Sequence, residues 1–145
     1  MSELTYLAAD GTDVSAICSL SKALVDRYED VSHIHYDAVI TWVRNKIREN
    51  IADYTCVFRG SEKVGYYHLT KEADGWELDD FYVLPQYQNQ GLGTKVLEHC
   101  IAVTDGPIYL YVFVENTGAI RLYERFGFSI VQKVSDTRVI MRRDG

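Results

Sequence analysis

One stretch constrains the chain more than any other: Asp79-Asp80-Phe81-Tyr82-Val83-Leu84-Pro85-Gln86-Tyr87-Gln88-Asn89-Gln90-Gly91-Leu92-Gly93-Thr94. Its first part carries aromatic and branched residues, and Pro85 lacks the N–H a ladder needs, so a strand ends there. The polar run Gln88-Asn89-Gln90-Gly91-Leu92-Gly93 reads as a turn. The period then changes, because Leu92, Val96, Leu97, Cys100 and Ile101 share one helix face. A strand entering a helix through such a turn can cradle a phosphate. The first helical N–H groups have no intrahelical partner, and the helix dipole adds partial positive charge there. Gly91 and Gly93 have no Cβ, which lets the backbone turn sharply and lie against a bulky anion. An ordinary strand-to-helix connection fits the same residues. Two common phosphate loops do not: there is no Gly-x-x-x-x-Gly-Lys-Ser/Thr, and no third glycine completes Gly-x-Gly-x-x-Gly.

The remaining periodicity fills in the elements around this stretch. Leu4 to Ala8 reads as a first strand, and Asp10-Gly11-Thr12 offers caps for a helix carrying Val14, Ile17, Cys18, Leu24, Val25 and Tyr28. After a polar connection from Glu29 to His35, a second helix is predicted over Tyr36 to Glu49. Strands follow at Tyr54 to Arg59, Lys63 to Thr70 and Trp76 to Leu84, separated by the turns Gly60-Ser61-Glu62 and Ala73-Asp74-Gly75. The helix after Gly91 is expected to reach about Thr104. Pro107 opens a strand in which Ile108, Leu110, Val112 and Val114 alternate with Tyr109, Tyr111 and Phe113, the pattern of a central strand buried on both faces. A last helix over about Thr117 to Phe126 stops at Gly127. Phe128 to Val134 and Thr137 to Arg142 close the chain as a hairpin. The order β-α-α-β-β-β-α-β-α-β-β implies one α/β (α+β) domain over residues 1–145, a mixed sheet of about seven strands with helices on both faces.

Composition narrows the function classes. With 15 basic and 21 acidic residues, the chain carries a net charge of −6. That balance is poor for gripping a nucleic-acid backbone and suits a cationic small molecule. No apolar run precedes a cleavage-like site and none reaches 18 residues, so neither secretion nor membrane insertion is expected. Cys18, Cys56 and Cys100 are odd in number and widely spaced, matching neither a disulfide framework nor a zinc site. They read as buried structural thiols of a cytoplasmic protein, with no metal expected.

A second motif follows: Val112-Phe113-Val114-Glu115-Asn116-Thr117-Gly118-Ala119-Ile120-Arg121-Leu122-Tyr123-Glu124-Arg125-Phe126-Gly127-Phe128. Asn116 is a favoured N-cap, and Tyr123 lies seven residues on, nearly the same azimuth of one helix. Tyr123 also fits a core position beside Ala119, Leu122 and Phe126. The first stretch, Gln-x-x-Gly-x-Gly after Val-x-Pro, resembles the acetyl-CoA pyrophosphate loop of the GNAT N-acetyltransferase superfamily, Arg/Gln-x-x-Gly-x-Gly/Ala. The second is similar to that family's Asn-x-x-Ala-x-x-Leu-Tyr-x-x-x-Gly-Phe, and the element order matches over nearly the whole chain. Gln88 in place of Arg removes one phosphate-directed charge. Asn89 and Gln90 replace the Gly-Lys or Gly-Arg often found there, so cofactor binding rests more on backbone N–H groups.

The resemblance implies an acetyl-CoA-dependent N-acetyltransferase without a covalent intermediate. On it, Gln88, Asn89, Gln90, Gly91, Leu92, Gly93 and Thr94 hold the pyrophosphate, and Asn116 contacts the pantetheine or diphosphate region. Phe81, Tyr82 and Val83 line the pantetheine with their backbone, and the Val83 N–H stabilises the oxyanion, a donor worth about 2.7–4 kcal/mol. Tyr123 sits near the thioester sulfur as general acid. The base is open between Glu77 and Asp79, which share a face of their strand, with Asp80 on the other and less favoured. Either carboxylate could instead hold a cationic substrate or face solvent. His33 and His35 lie in the connection that, in this fold, rims the acceptor site; two histidines one apart in a loop read first as surface residues, and in a functional role they would shape the acceptor pocket. The acceptor implied is a primary amine, a small cationic metabolite, polyamine or aminoglycoside-like compound. A protein N-terminus or lysine is the nearest alternative, and a non-catalytic acyl-CoA-binding module the alternative from another class. A homodimer is expected from the family.

Overall fold

Each change of hydrophobic period along the chain marks a change of element. The computed structural model describes residues 3–145, the side chain of His33 excepted. Its strands are Leu4–Ala8 (β1), Tyr54–Arg59 (β2), Glu62–Glu72 (β3), Gly75–Val83 (β4), Ile108–Phe113 (β5), Ser129–Lys133 (β6) and Arg138–Arg143 (β7). Its helices are Val14–Tyr28 (α1), Tyr36–Asn50 (α2), Leu92–Ala102 (α3) and Thr117–Arg125 (α4). The strands form one mixed sheet in the order β1-β2-β3-β4-β5-β7-β6. Several element ends differ from those expected, in two elements for evident local reasons. β3 outruns its apolar stretch at both ends, since ladder bonds need only backbone. α3 stops at Ala102 because Thr104 bonds back to the Ile101 carbonyl through both its N–H and its hydroxyl.

The chain divides into two compact units, one running to His68 and including Asp80–Leu84, the other made of Leu69–Asp79 and Pro85–Gly145. In the first, β1 pairs antiparallel with β2 from Leu4↔Arg59 to Ala8↔Thr55, and β2 pairs antiparallel with β3 around a bulge at Val57/Phe58. Ile17 of α1 and Val43 and Ile47 of α2 are buried with Tyr54, Cys56 and Tyr66 of the strands. Asp10 and Asp13 cap each other reciprocally across the 3₁₀ turn Gly11–Asp13, which leads directly into α1. Asp13 is buried, and its carboxylate accepts from Lys63 Nζ, Tyr66 OH at 3.1 Å and Cys56 Sγ at 3.4 Å. Gly65 is required by closeness: a Cβ there would lie 2.3 Å from the Tyr82 carbonyl oxygen.

In the second unit β4 and β5 run parallel, paired at Trp76↔Ile108 and Glu77↔Tyr109. Gly75 sets that register. Its φ of +147° and the 2.4 Å that would separate a Cβ from the Pro107 carbonyl oxygen exclude a side chain, while the Trp76 N–H bonds the same carbonyl at 2.8 Å. β7 lies antiparallel to both β5 and β6. β5 departs from the expectation of burial on both faces. Ile108, Leu110 and Val112 are buried, but Tyr109 and Phe113 are half-buried and Tyr111 is exposed. The Arg138 guanidinium covers that second face, 5.1 Å from the Tyr111 ring and 5.8 Å from that of Phe113. Alternating aromatics with polar edges tolerate such partial wetting.

Candidate active site

The turn that ends β4 is built residue by residue. Pro85–Tyr87 forms one tight 3₁₀ turn closed by Gln88 N–H on the Pro85 carbonyl. Gln88, Asn89, Gln90 and Gly91 are then all exposed. Asn89 (φ +64°) and Gly91 (φ +77°) both take left-handed backbone, a conformation open to Asn and Gly at least strain. Gly91 occupies the N-cap position of α3 and has no side chain to cap it. The amides of Leu92, Gly93 and Thr94 therefore start the helix without a capping oxygen from Gly91, the arrangement that receives an anion. Gly93 differs from the expectation that it helps the chain turn: it already lies inside α3. A Cβ on it would meet Leu122 Cδ2 of α4 at 3.5 Å, an ordinary contact.

That contact sets the first turn of α3 beside α4. Asn116 caps α4, its Oδ1 accepting from the Ala119 N–H at 3.4 Å. The capping role leaves its Nδ2 donors available, with no partner recorded among the described residues. Tyr123 sits in the last turn, 7% exposed, with its ring 5.7 Å from that of Phe128. Its carbonyl accepts from the N–H groups of both Phe126 and Phe128. Gly127 makes the reversal at φ +90°, and Arg143 Nε holds the Phe126 carbonyl at 2.8 Å. Burial pushes the Tyr123 phenol well above its ordinary range, so it keeps its proton.

Glu77 and Asp79 are half-buried and share one face of β4. The Glu77 carboxylate accepts a 3.1 Å bond from Tyr109 OH, its partner in the parallel register. Burial first, then the charge of Glu77, pushes the Tyr109 phenol up to about 12. Sequence reading did not single out Tyr109, because its position opposite Glu77 depends on how far β5 slides along β4.

Glu77, Asp79, the turn from Gln88 to Thr94, Asn116 and Tyr123 all belong to the second unit; Phe81, Tyr82 and Val83 belong to the first. There Asp80 is buried and fully engaged. It accepts from Tyr54 OH and from Tyr82 OH at 3.0 Å, with Lys46 Nζ at 3.6 Å. Its oxygens are thus shared between two phenols and an ammonium within the fold. His35 is exposed at the N-cap of α2 without a capping bond, and the His33 side chain lies outside the described residues. Of the other aromatic residues in this unit, Tyr66 and Tyr67 are buried, whereas Trp42 is 63% exposed with Lys46 Nζ 5.5 Å from its ring.

Comparison with known proteins bears on the family. A model described as the acetyltransferase (GNAT) family matches residues 18–128. A spermine/spermidine N(1)-acetyltransferase of Bacillus subtilis is 45% identical over 56 residues, which is 35% of this chain and 37% of that protein. A mycothiol acetyltransferase of Corynebacterium efficiens is 29% identical over 100 residues, 64% of this chain and 31% of that protein. The match thus spans about a third of the length of these curated relatives. The PaiA N-acetyltransferase of Thermoplasma acidophilum, solved in complex with coenzyme A, superposes with a TM-score of 0.75 at 16% identity, covering 99% of both chains.

Proposed function

This chain belongs to the acetyltransferase (GNAT) family, and on that premise we propose that it transfers acetyl from acetyl-CoA to the primary amine of a small cationic acceptor. One observation carries the reading: the uncapped first turn of α3 packs against α4, the helix that holds the buried Tyr123. An anion receiver and a protonated phenol thus stand in one unit. Acetyl-CoA brings the thioester. The amides after Gly91 and the Nδ2 of Asn116 bind its polar portion. The Val83 N–H serves as oxyanion donor, with Phe81 and Tyr82 beside it on the strand, as the family resemblance assigns them.

Glu77 or Asp79 takes a proton from the acceptor ammonium, freeing the nitrogen lone pair. The nitrogen attacks the thioester carbon and the C–N bond forms; the nitrogen then sheds its second proton to solvent, and the C–S bond breaks as the oxyanion collapses to the amide. Tyr123 gives its proton to the departing thiolate and regains one from solvent. Two half-buried carboxylates on one strand face and a net charge of −6 support a cationic acceptor. Among the described residues no helix is long and apolar enough to cross a membrane.

The test is CoA release from acetyl-CoA across a panel of amines, with wild type beside Tyr123→Phe, Glu77→Gln and Asp79→Asn. General-acid loss should lower turnover about 10²-fold or more in Tyr123→Phe while CoA still binds. The carboxylate variant with the larger loss identifies the base. Binding of acetyl-CoA without release by any amine would refute the small-amine reading.

A further inference from the structure

The first unit holds a groove lined by none of the residues assigned to the transfer reaction. About 520 Å³ of space opens between α1 and α2. Val14 and Cys18 of α1, Ile40 and Val43 of α2, and Ile51 just beyond form its apolar floor. Lys22, Arg44 and Arg48 stand on its rim, with the hydroxyls of Ser15 and Ser19. The chain has 21 Asp and Glu residues against 15 Lys and Arg, yet no acidic residue lines this groove. Lys22 is partly neutralised, bonded to Asp26 at 2.8 Å. Arg44 and Arg48 are exposed, and among the described residues neither has an ion-pair or hydrogen-bond partner recorded. One helical turn apart, two unpaired cations repel each other. The size lies within the range of small-molecule sites, which are mostly apolar with a few placed polar groups.

We propose that this groove binds a small carboxylate with an apolar chain. The chain lies on Val14, Cys18, Ile40, Val43 and Ile51, and the carboxylate meets Arg44 and Arg48. Planar guanidinium forks match a carboxylate in two-point contact, and such charge-assisted bonds are stronger than neutral ones. Charge complementarity selects this occupant over an amine or an uncharged alcohol of the same length.

Cys18 supplies a local reporter. It is the half-buried thiol on the floor, whereas Cys56 and Cys100 are buried. Octanoate, octanol and octylamine are titrated against the whole chain in the presence of excess CoA. Binding is read by calorimetry and by the rate of Cys18 alkylation with iodoacetamide, located by mass spectrometry. Octanoate should bind and slow Cys18 alkylation, octanol and octylamine should do so at least about tenfold less well, and Arg44→Gln/Arg48→Gln should weaken octanoate about tenfold. Both arginines are exposed, so the double variant should keep the wild-type circular dichroism spectrum and melting temperature. Equal protection by octanol, equal binding to the double variant, or octanoate binding without Cys18 protection would each overturn the proposal.

Discussion

The two glycines of the β4–α3 turn should respond to the same substitution with opposite signs. Gly91 has φ +77°, and a Cβ built on it touches nothing within 4 Å. Its Ala variant therefore suffers no clash, only the left-handed backbone, which costs an L-residue about 1–2 kcal/mol. Gly93 sits in the first turn of α3 with a Cβ site 3.5 Å from Leu122 Cδ2. Ala there gains helix propensity, at most about 1 kcal/mol, and adds a normal contact. A change of 1 kcal/mol moves the melting temperature of a chain this size by about 2–4 °C. Thermal unfolding by circular dichroism should thus show Gly91→Ala melting about 2–8 °C lower and Gly93→Ala unchanged or slightly higher. Gly91→Asn should recover much of the loss, since Asn tolerates this backbone. Titrated with CoA, Gly91→Ala should bind about tenfold or more weakly, because relaxing its backbone re-aims the Leu92 amide, while Gly93→Ala stays within a few-fold of wild type. Equal melting shifts for both Ala variants, or loss of CoA binding confined to Gly93→Ala, would refute this account of the turn.

Other expectations follow from the same contacts. Tyr109→Phe removes the 3.1 Å donor that favours ionised Glu77. If Glu77 is the base, the acid limb of the pH–rate profile should move to higher pH; an unmoved limb assigns the base elsewhere. Asp13 is desolvated by burial, which alone would raise its pKa, but bonds from Lys63, the Asp10 N–H, Cys56 and Tyr66 outweigh that and hold it below the ordinary 3.8. Its contribution to stability is therefore present above the ordinary Asp value and lost as pH falls through the lowered one. Asp13→Asn should flatten the melting temperature against pH in that acid window, and Asp13→Ala, which strands buried donors, should cost about 3 kcal/mol at neutral pH in urea unfolding. β6 is exposed along its whole length, with Ile130 54% and Val131 56% exposed. Such an edge supports pairing with a second copy, so light scattering should show a dimer at micromolar concentration and a monomer for Ile130→Lys; a wild-type monomer would refute it.

The order of elements was legible in the sequence because each rests on local chemistry. Period 2 gives way to period 3.6 at Leu92, Pro85 ends β4, and Gly127 ends α4. The left-handed turn at Gly91 and the Asn116 cap were legible for the same reason: one residue's backbone freedom or side-chain reach decides each. Tertiary structure alone decided what faces what. The parallel register set by Gly75 against Pro107 puts Tyr109 on Glu77, and no pattern within either strand encodes that slide. Likewise Asp80 and Asp79 are neighbours of one chemistry. Only packing against Tyr54, Tyr82 and Lys46 ties the first into a buried network. Hydrophobic period tells which face of an element is covered; it carries no information on which distant residue covers it, and the chemistry of a carboxylate depends on that neighbour.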